Sequence, residues 1–270
     1  MPRVTPKPPV PRPFPRRFAP ALVALAVLGL SACNDEGSIS QNNSSSTSSN
    51  SSDGTSTDGT AGAHTETNRY EITDKVAQLH LEGKAGKVSV AAGDGPISVT
   101  ETLVYTDSKP TTSHNVTGDT LNLRNDGCPE QTSVVNRRCQ VGWEIRVPAG
   151  TNLDLNTRAG GIDLAGMAGT VTANTHSGGV DGKDLRSKAV TAQTHSGGVD
   201  LQFREAPDQV KAVTKAGGVD IQVPAGVRYA VRTDTSAGRP EVEVQQDNAS
   251  PHKIDASTGA GSIDITNGND

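Results

Sequence analysis

The chain has 270 residues, 33% of them in the AVILMFWYC set, and its rings number only three Phe, three Tyr and one Trp. That composition excludes a thick core packed around aromatic side chains and leaves a narrow one of Val, Ile, Leu, Ala and Thr. Net charge is −5 from 25 basic and 30 acidic residues; five of the basic residues precede residue 33, where there are no acids, so the remainder stands at −10. Such a balance argues against nucleic acid as a partner and against electrostatic docking on anionic lipid.

Residues 1–17 are basic and Pro-rich, and an apolar run of 13 residues, Phe18–Leu30, follows. A bilayer span needs about 20. The positive start, the short apolar run and the small residues at its end predict a signal peptide over residues 1–32. Its last residues, Leu30-Ser31-Ala32-Cys33, resemble the bacterial lipobox. The resemblance implies that the Cys33 thiol takes a diacylglyceryl group and that Cys33 becomes the first residue after cleavage. The expected location is then the outer face of the bacterial cell membrane, held by a lipid anchor with two or more chains. An ordinary signal peptide with an incidental cysteine is the alternative. Arg16-Arg17-Phe18 resembles a twin-arginine export signal only loosely.

From Asn34 to about Thr67 the chain is Ser, Thr, Asn, Gly and Asp, with a Ser-rich centre over 44–52. Nothing there can bury apolar area, so residues 33–69 are expected to form a disordered tether and residues 70–270 the folded domain. A tether of about 33 residues has a root-mean-square span of roughly 30 Å. With Cys33 assigned to the lipid, Cys128 and Cys139 remain as a pair. In an oxidising compartment they predict a disulfide within a stapled excursion over residues 124–142, stabilising by about 2–3 kcal/mol. A redox or metal pair fits poorly, because the spacing is not Cys-x-x-Cys and no histidine is near in sequence.

One phrase then recurs: Ala159-Gly-Gly-Ile-Asp-Leu164, Ser177-Gly-Gly-Val-Asp181, Ser196-Gly-Gly-Val-Asp-Leu201, Ala216-Gly-Gly-Val-Asp-Ile221 and Ala260-Gly-Ser-Ile-Asp-Ile265. Taking the second residue of the Gly pair as a marker gives positions 161, 179, 198, 218, 239 and 262, with steps of 18 to 23 residues. Eight residues before the markers stand Leu153, Val171, Val190, Val210, Val231 and Ile254; four before, every unit has Thr (157, 175, 194, 214, 235 and 258). After the markers, apolar and polar residues alternate. Each unit therefore holds two short strands separated by a glycine corner.

Evenly spaced strands suit an antiparallel sandwich or barrel. The like residues at equivalent positions favour instead an all-β, parallel β-solenoid (β-helix), whose coils of about 18–23 residues stack directly at about 4.8 Å. Leu79, Leu81, Val88 and Val90 fit the same register with Lys87 as marker, and Trp143–Gly150 parallels Val219–Gly226. Between them, residues 91–142 include strand-like Ile97–Tyr105 and Leu121-Asn-Leu123, then the Cys128–Cys139 loop, and are expected to form irregular coils with a stapled excursion or cap. The export signal, the tether and the Ser/Ala-Gly-Gly-Val-Asp strands resemble the "putative adhesin" β-strand-repeat family of bacterial envelope proteins. The resemblance covers roughly residues 70–270 and implies a solenoid-like fold and a surface location, with no catalytic residues to carry over.

Two residues after the markers the repeats carry Asp163, Asp181, Asp200, Asp220, Glu241 and Asp264 on the solvent side. Stacked carboxylates about 4.8 Å apart repel by roughly 0.9 kcal/mol per pair in water. Arg158, His176, His195 and Lys215, each five residues before an acid, are the expected counter-charges across the corner, forming a solvated charge ladder. A divalent cation between the Asp rungs is the sharper alternative, Ca²⁺ being the expected ion and six to eight oxygens its requirement; no other cofactor is expected. His176 and His195 lie in identical phrases on what should be adjacent rungs, where Asp181 and Asp200 would raise their pKa values and make a pH-sensitive patch. Zn²⁺ held by the two His would need further ligands.

The functional expectation is a non-enzymatic, lipid-anchored surface protein, an adhesin or envelope-interaction scaffold whose partner is a cell-wall glycan or an envelope protein. The alternative is a carbohydrate-active β-helix enzyme using paired Asp residues. A concave groove with clustered, perturbed carboxylates would favour the enzyme; uniformly flat faces would favour the scaffold.

Overall fold

The computed structural model describes residues 62–129 and 137–268. The leader over 1–32, Cys33 and the tether up to residue 61 lie outside the described residues, as do residues 130–136 of the stapled excursion. Among the described residues every regular element is a β-strand.

The central units each contribute two parallel strands. One strand of each lies in a second sheet: β8 (Asn152–Ala159), β10 (Val171–Ser177), β12 (Ala189–Ser196) and β14 (Gln209–Ala216). Their partners beyond the corner form a first sheet: β9 (Ile162–Ala165), β11 (Val180–Leu185), β13 (Val199–Phe203) and β15 (Val219–Val223). Thr175 pairs with Thr194 and Val171 with Val190 in parallel register, as direct stacking of like residues requires. Strand alternation turns Leu155, Ala173, Ala192 and Ala212 inward from one sheet and Ile162, Val180, Val199 and Val219 inward from the other, all fully buried. The thin core of small and branched residues is thus observed, with Phe203 on β13 the ring buried among these central units.

Stacking does not follow chain order at either end. β16 (Arg228–Ala237) and β17 (Pro240–Val242) form the fifth unit of the repeat series, with β18 (Gln245–Gln246) attached. β19 (Lys253–Ala260) and β20 (Ile263–Asn267) form the sixth. The sixth unit is inserted between the fourth and the fifth: β19 pairs with both β14 and β16, and β20 with both β15 and β17. Turns piled like a spring in sequence order are therefore corrected here. Apolarity accounts for the exchange. Ile254, Ala256, Ile263 and Ile265 are fully buried in the inner place, whereas Val231, Thr233 and Val242 of the outer unit are only half-buried.

The other end mirrors this. β2 (Gln78–Ala85) and β3 (Val88–Ala92) stack on β8 and β9, as the register of Leu79 and Val88 predicts. The later unit, β6 (Thr120–Gly127) with β7 (Cys139–Val147), lies outside them. The end is then closed by antiparallel strands, so that residues 91–142 hold both an outer coil, β6 with β7, and part of a cap. β4 (Ile97–Tyr105) runs antiparallel to β7, β1 (His64–Ile72) antiparallel to β4, and β5 (Thr111–Thr117) antiparallel to β6. β1 begins at His64, inside the segment read as tether, because an edge strand with one half-exposed face shows little apolar alternation. Two ten-stranded sheets result, with β1 and β5 at one end and β17 and β18 at the other.

The scarce rings concentrate towards the ends: Trp143 at 1% and Tyr229 at 0% exposure. Glu101 on β4 is also buried, at 2%. It accepts hydrogen bonds from the Tyr70 hydroxyl at 2.7 Å and from Thr112 Oγ1 at 2.9 Å, tying β1 and β4 to β5 of the opposite sheet. Cys128 and Cys139 are disulfide-bonded with Cα atoms 6.0 Å apart, joining the end of β6 to the start of β7.

Candidate functional site

The corner between the sheets sets where every outward side chain lies. Its first glycine recurs in seven units, at 86, 160, 178, 197, 217, 238 and 261, with positive φ in each. At Gly197, φ is +138° and a Cβ would lie 2.3 Å from the Gly178 carbonyl oxygen of the next rung, so only glycine fits. The second position is free of that constraint, which is why Lys87, Arg239 and Ser262 replace glycine there. The carbonyl of the first glycine points back into the fold and is met by the Thr column. Thr175, Thr194, Thr214 and Thr258 donate from Oγ1 to Gly160, Gly178, Gly197 and Gly217 at 2.8–3.0 Å, and Thr235 to Gly261 at 3.3 Å. Thr157 Oγ1 is buried without a partner beside Gly83, the unit that lacks the Thr.

Outward from the corner, the first sheet carries the predicted acidic column. Asp163, Asp181, Asp200, Asp220 and Asp264 pair rung on rung, and Glu241 follows Asp264 because of the exchanged units. The predicted basic partners are aligned too, but on the outer face of the second sheet. None of the four pairs Arg158–Asp163, His176–Asp181, His195–Asp200 and Lys215–Asp220 forms an ion pair among the described residues. Five residues carry the chain around the corner and aim the two side chains away from different sheets. Asp163 is met instead by the ammonium of Lys87 from the adjacent rung, and its hydrogen bond raises the Lys87 pKa.

The acids lack enough counter-charge. Partial burial, then the neighbouring Asp163 and Asp200 carboxylates, raise the Asp181 pKa. Asp220 is raised by burial, then by Asp264 and Asp200. His176 and His195 stack on adjacent rungs with ring centroids 4.6 Å apart, as their duplicated phrases predict. The predicted upward shift is reversed at His195, which is lowered by the Lys215 charge, then desolvation, then His176. The neighbours that reach the ring are the cations of its own sheet, and the carboxylates lie beyond the corner.

The acidic face is not flat throughout. Between Glu144 and Asp163 the column holds Ser89, and the next column reads Arg146, Ala91, Ala165, Lys183 across four strands. Short side chains between long ones leave a groove of about 570 Å³, walled by Glu144, Arg146, Asp163, Asp181 and Lys183. Among the described residues no group of three or more His, Cys, Asp or Glu is arranged to hold a metal ion. One carboxylate per rung, all projecting in parallel, does not converge the oxygens that Ca²⁺ needs.

The model of the Toastrack DUF4097 family matches residues 30–266. The chain belongs to that family. The family is one of unknown function, and the resemblance carried by the Gly-Gly-Val-Asp strands is thereby borne out. Among solved structures, the Toastrack chain is similar to a putative cell adhesion protein from Clostridium sporogenes, at 12% identity and a TM-score of 0.43 over 76% of this chain and 100% of that one. It is similar to a putative adhesin from Bacteroides fragilis, at 14% identity and 0.42 over 75% and 96%. A third is a putative lipid binding protein from Parabacteroides distasonis, at 14% identity and 0.36 over 76% and 97%. No curated protein matches the chain.

In this Toastrack domain the aligned columns were legible from sequence, and the groove was not. Its signal was present: the unit around Lys87 reads Val-Ser-Val-Ala where the others read Val-Asp, so Ser89 marks a gap in the acids. The groove offers carboxylates, the ammonium groups of Lys87 and Lys183 and a guanidinium to a polar ligand. It is lined by no ring and no histidine.

Proposed function

We propose that the chain is a non-enzymatic, lipid-anchored cell-surface protein whose domain binds envelope or extracellular material through its polar sheet faces. The reading rests on one observation above all: like polar side chains stand in register over successive rungs. A repeating ligand can then make many weak contacts at one spacing, and tethering near the membrane raises their effective concentration. The leader, the lipobox-like Leu30–Cys33 and the Ser-rich segment support export and anchoring, with a solenoid-like domain held clear of the bilayer. The test is the full chain expressed in a bacterial host, wild type against Cys33→Ser. The variant is expected to leave the membrane fraction and to lose cell attachment to glycan-coated surfaces. Membrane retention and attachment equal to wild type would defeat the reading.

The groove gives a second reading its footing, because Asp163 and Asp181 sit one rung apart within it and Asp181 is raised. Side chains about 5 Å apart suit a retaining pair of glycoside-hydrolase carboxylates. Against it, Asp220 is raised by the same causes outside the groove, so the shift belongs to the column and not to a tuned site. Release of reducing ends from envelope polysaccharide by the wild type, abolished in Asp181→Asn, would establish the enzyme instead.

A further inference from the structure

The bases that fail to reach the acids form a column of their own. Lys84, Arg158, His176, His195 and Lys215 occupy equivalent places on β2, β8, β10, β12 and β14, which are consecutive neighbours in the second sheet. The stacked rings of His176 and His195 show the vertical alignment directly. Four of the side chains are exposed and His195 half-buried. Among the described residues none of the five is ion-paired to a carboxylate; Lys84 Nζ donates only to the backbone carbonyl of Asp126. Four steps of about 4.8 Å make the column roughly 19 Å long.

Two further features give it the character of a binding surface. The outward residues two positions earlier on the strands are neutral over four of the five rungs: Asn156, Asn174, Gln193 and Val213, with Glu82 the exception. Glu82 and Asp126 are engaged by Arg124, at 3.5 Å and 2.6 Å. At the Lys84 end the surface is hollowed into a groove of about 690 Å³ lined by Lys84, Arg158 and His176 together with Asn156 and Asn174. A row of two ammonium groups, a guanidinium and two imidazoles therefore runs beside the carboxamides of Asn156, Asn174 and Gln193, about 6.6 Å away along the strands.

We propose that this column binds a linear acidic polysaccharide laid along it, with acid groups on its bases and ring hydroxyls on Asn156, Asn174 and Gln193. A 1,4-linked pyranose chain advances by roughly one strand spacing per sugar while turning about its own axis, so its acid groups return to the same side every two or three rungs, about the interval from Arg158 to Lys215. Nucleic acid fits less well: the groove is lined by no Phe, Tyr or Trp on which bases would stack, and it also holds Glu82 and Asp126. A membrane surface would meet a row only one charge wide where it needs a broad basic patch.

The proposal rests on the reading of the domain as a surface binder and names one ligand class for one face. The test is calorimetric titration of the full chain with an oligogalacturonate of eight to ten sugars, with a neutral malto-oligosaccharide of equal length and with short-chain polyphosphate. The wild type is expected to bind the uronate, more weakly as salt rises, and to ignore the neutral sugar. In the Arg158→Gln, Lys215→Gln double variant Kd should rise about tenfold with the strand circular-dichroism signal intact. Equal binding by the double variant, equal binding of the neutral sugar, or tighter binding of polyphosphate would each overturn it. If glycan-dependent cell attachment persists while the uronate fails to bind, this column is refuted and the general reading stands.

Discussion

A Cβ at Gly197 would lie 2.3 Å from the Gly178 carbonyl oxygen, whereas one at Gly198 would meet nothing nearer than the Gly218 oxygen at 3.5 Å. Adjacent glycines thus carry opposite expectations: Gly197→Ala should cost more than about 4 kcal/mol in chemical denaturation, and Gly198→Ala less than about 1. The Thr column divides in the same way. Thr214→Val removes the donor to Gly197 and should cost about 1–2 kcal/mol, while Thr157→Val removes a hydroxyl that bonds to nothing and should be neutral or mildly stabilising. Equal losses at the two Thr positions would show that the hydroxyl–carbonyl bond is not what fixes the column. At Asp181 the folded-state pKa is raised above that of the unfolded chain. Its charge therefore opposes folding at neutral pH, and the opposition fades as pH falls through the raised value and below the unfolded value of about 3.9. Asp181→Asn should raise Tm by about 1–3 °C at pH 7 and by nothing near pH 3. A gain that is the same at both pH values would place its origin in packing.

Within each unit the strand–corner–strand plan was readable, because three independent positions repeat: the apolar residue, the Thr and the acid. Which neighbour each unit has was not readable, since the period in sequence is the same whether the sixth unit follows the fifth or is inserted before it. Only the balance of buried surface decides, and it sends the weaker unit, with Val231 and Thr233 half-buried, to the outside. Over residues 230–237, β16 has β19 as its sheet partner. Removing everything after Asn248 should therefore strip protection from β16 and β17 as well as deleting β19 and β20. Hydrogen exchange of that truncated chain is expected to show residues 228–242 exchanging freely with β12 and β13 still slow. Persistent protection of β16 would mean that it re-pairs with β14. At the other end the strand over Ile97–Tyr105 was readable and its antiparallel pairing was not; its inward Glu101 breaks the apolar pattern and is tolerated because Tyr70 and Thr112 meet it.

At the scale of the whole domain, alternation and the two-sheet plan separate charge by sign, with acids outside the first sheet and a row of bases outside the second. The sequence places Arg158 five residues from Asp163 and invites a pair; geometry turns the two onto different faces, where Asp163 takes Lys87 as its partner and Arg158 stays available to something outside the protein. The exchanged units have a consequence for how such a molecule is made. Ribosomes deliver the chain from its amino end, so β16 and β17 emerge while the slot beside β14 and β15 is still vacant. The unit that fills it is the last of the series to be synthesised. Until then the fifth unit has no lasting seat, and any early docking of it onto the fourth must be undone. Completion of this fold is a late insertion and not a steady accretion.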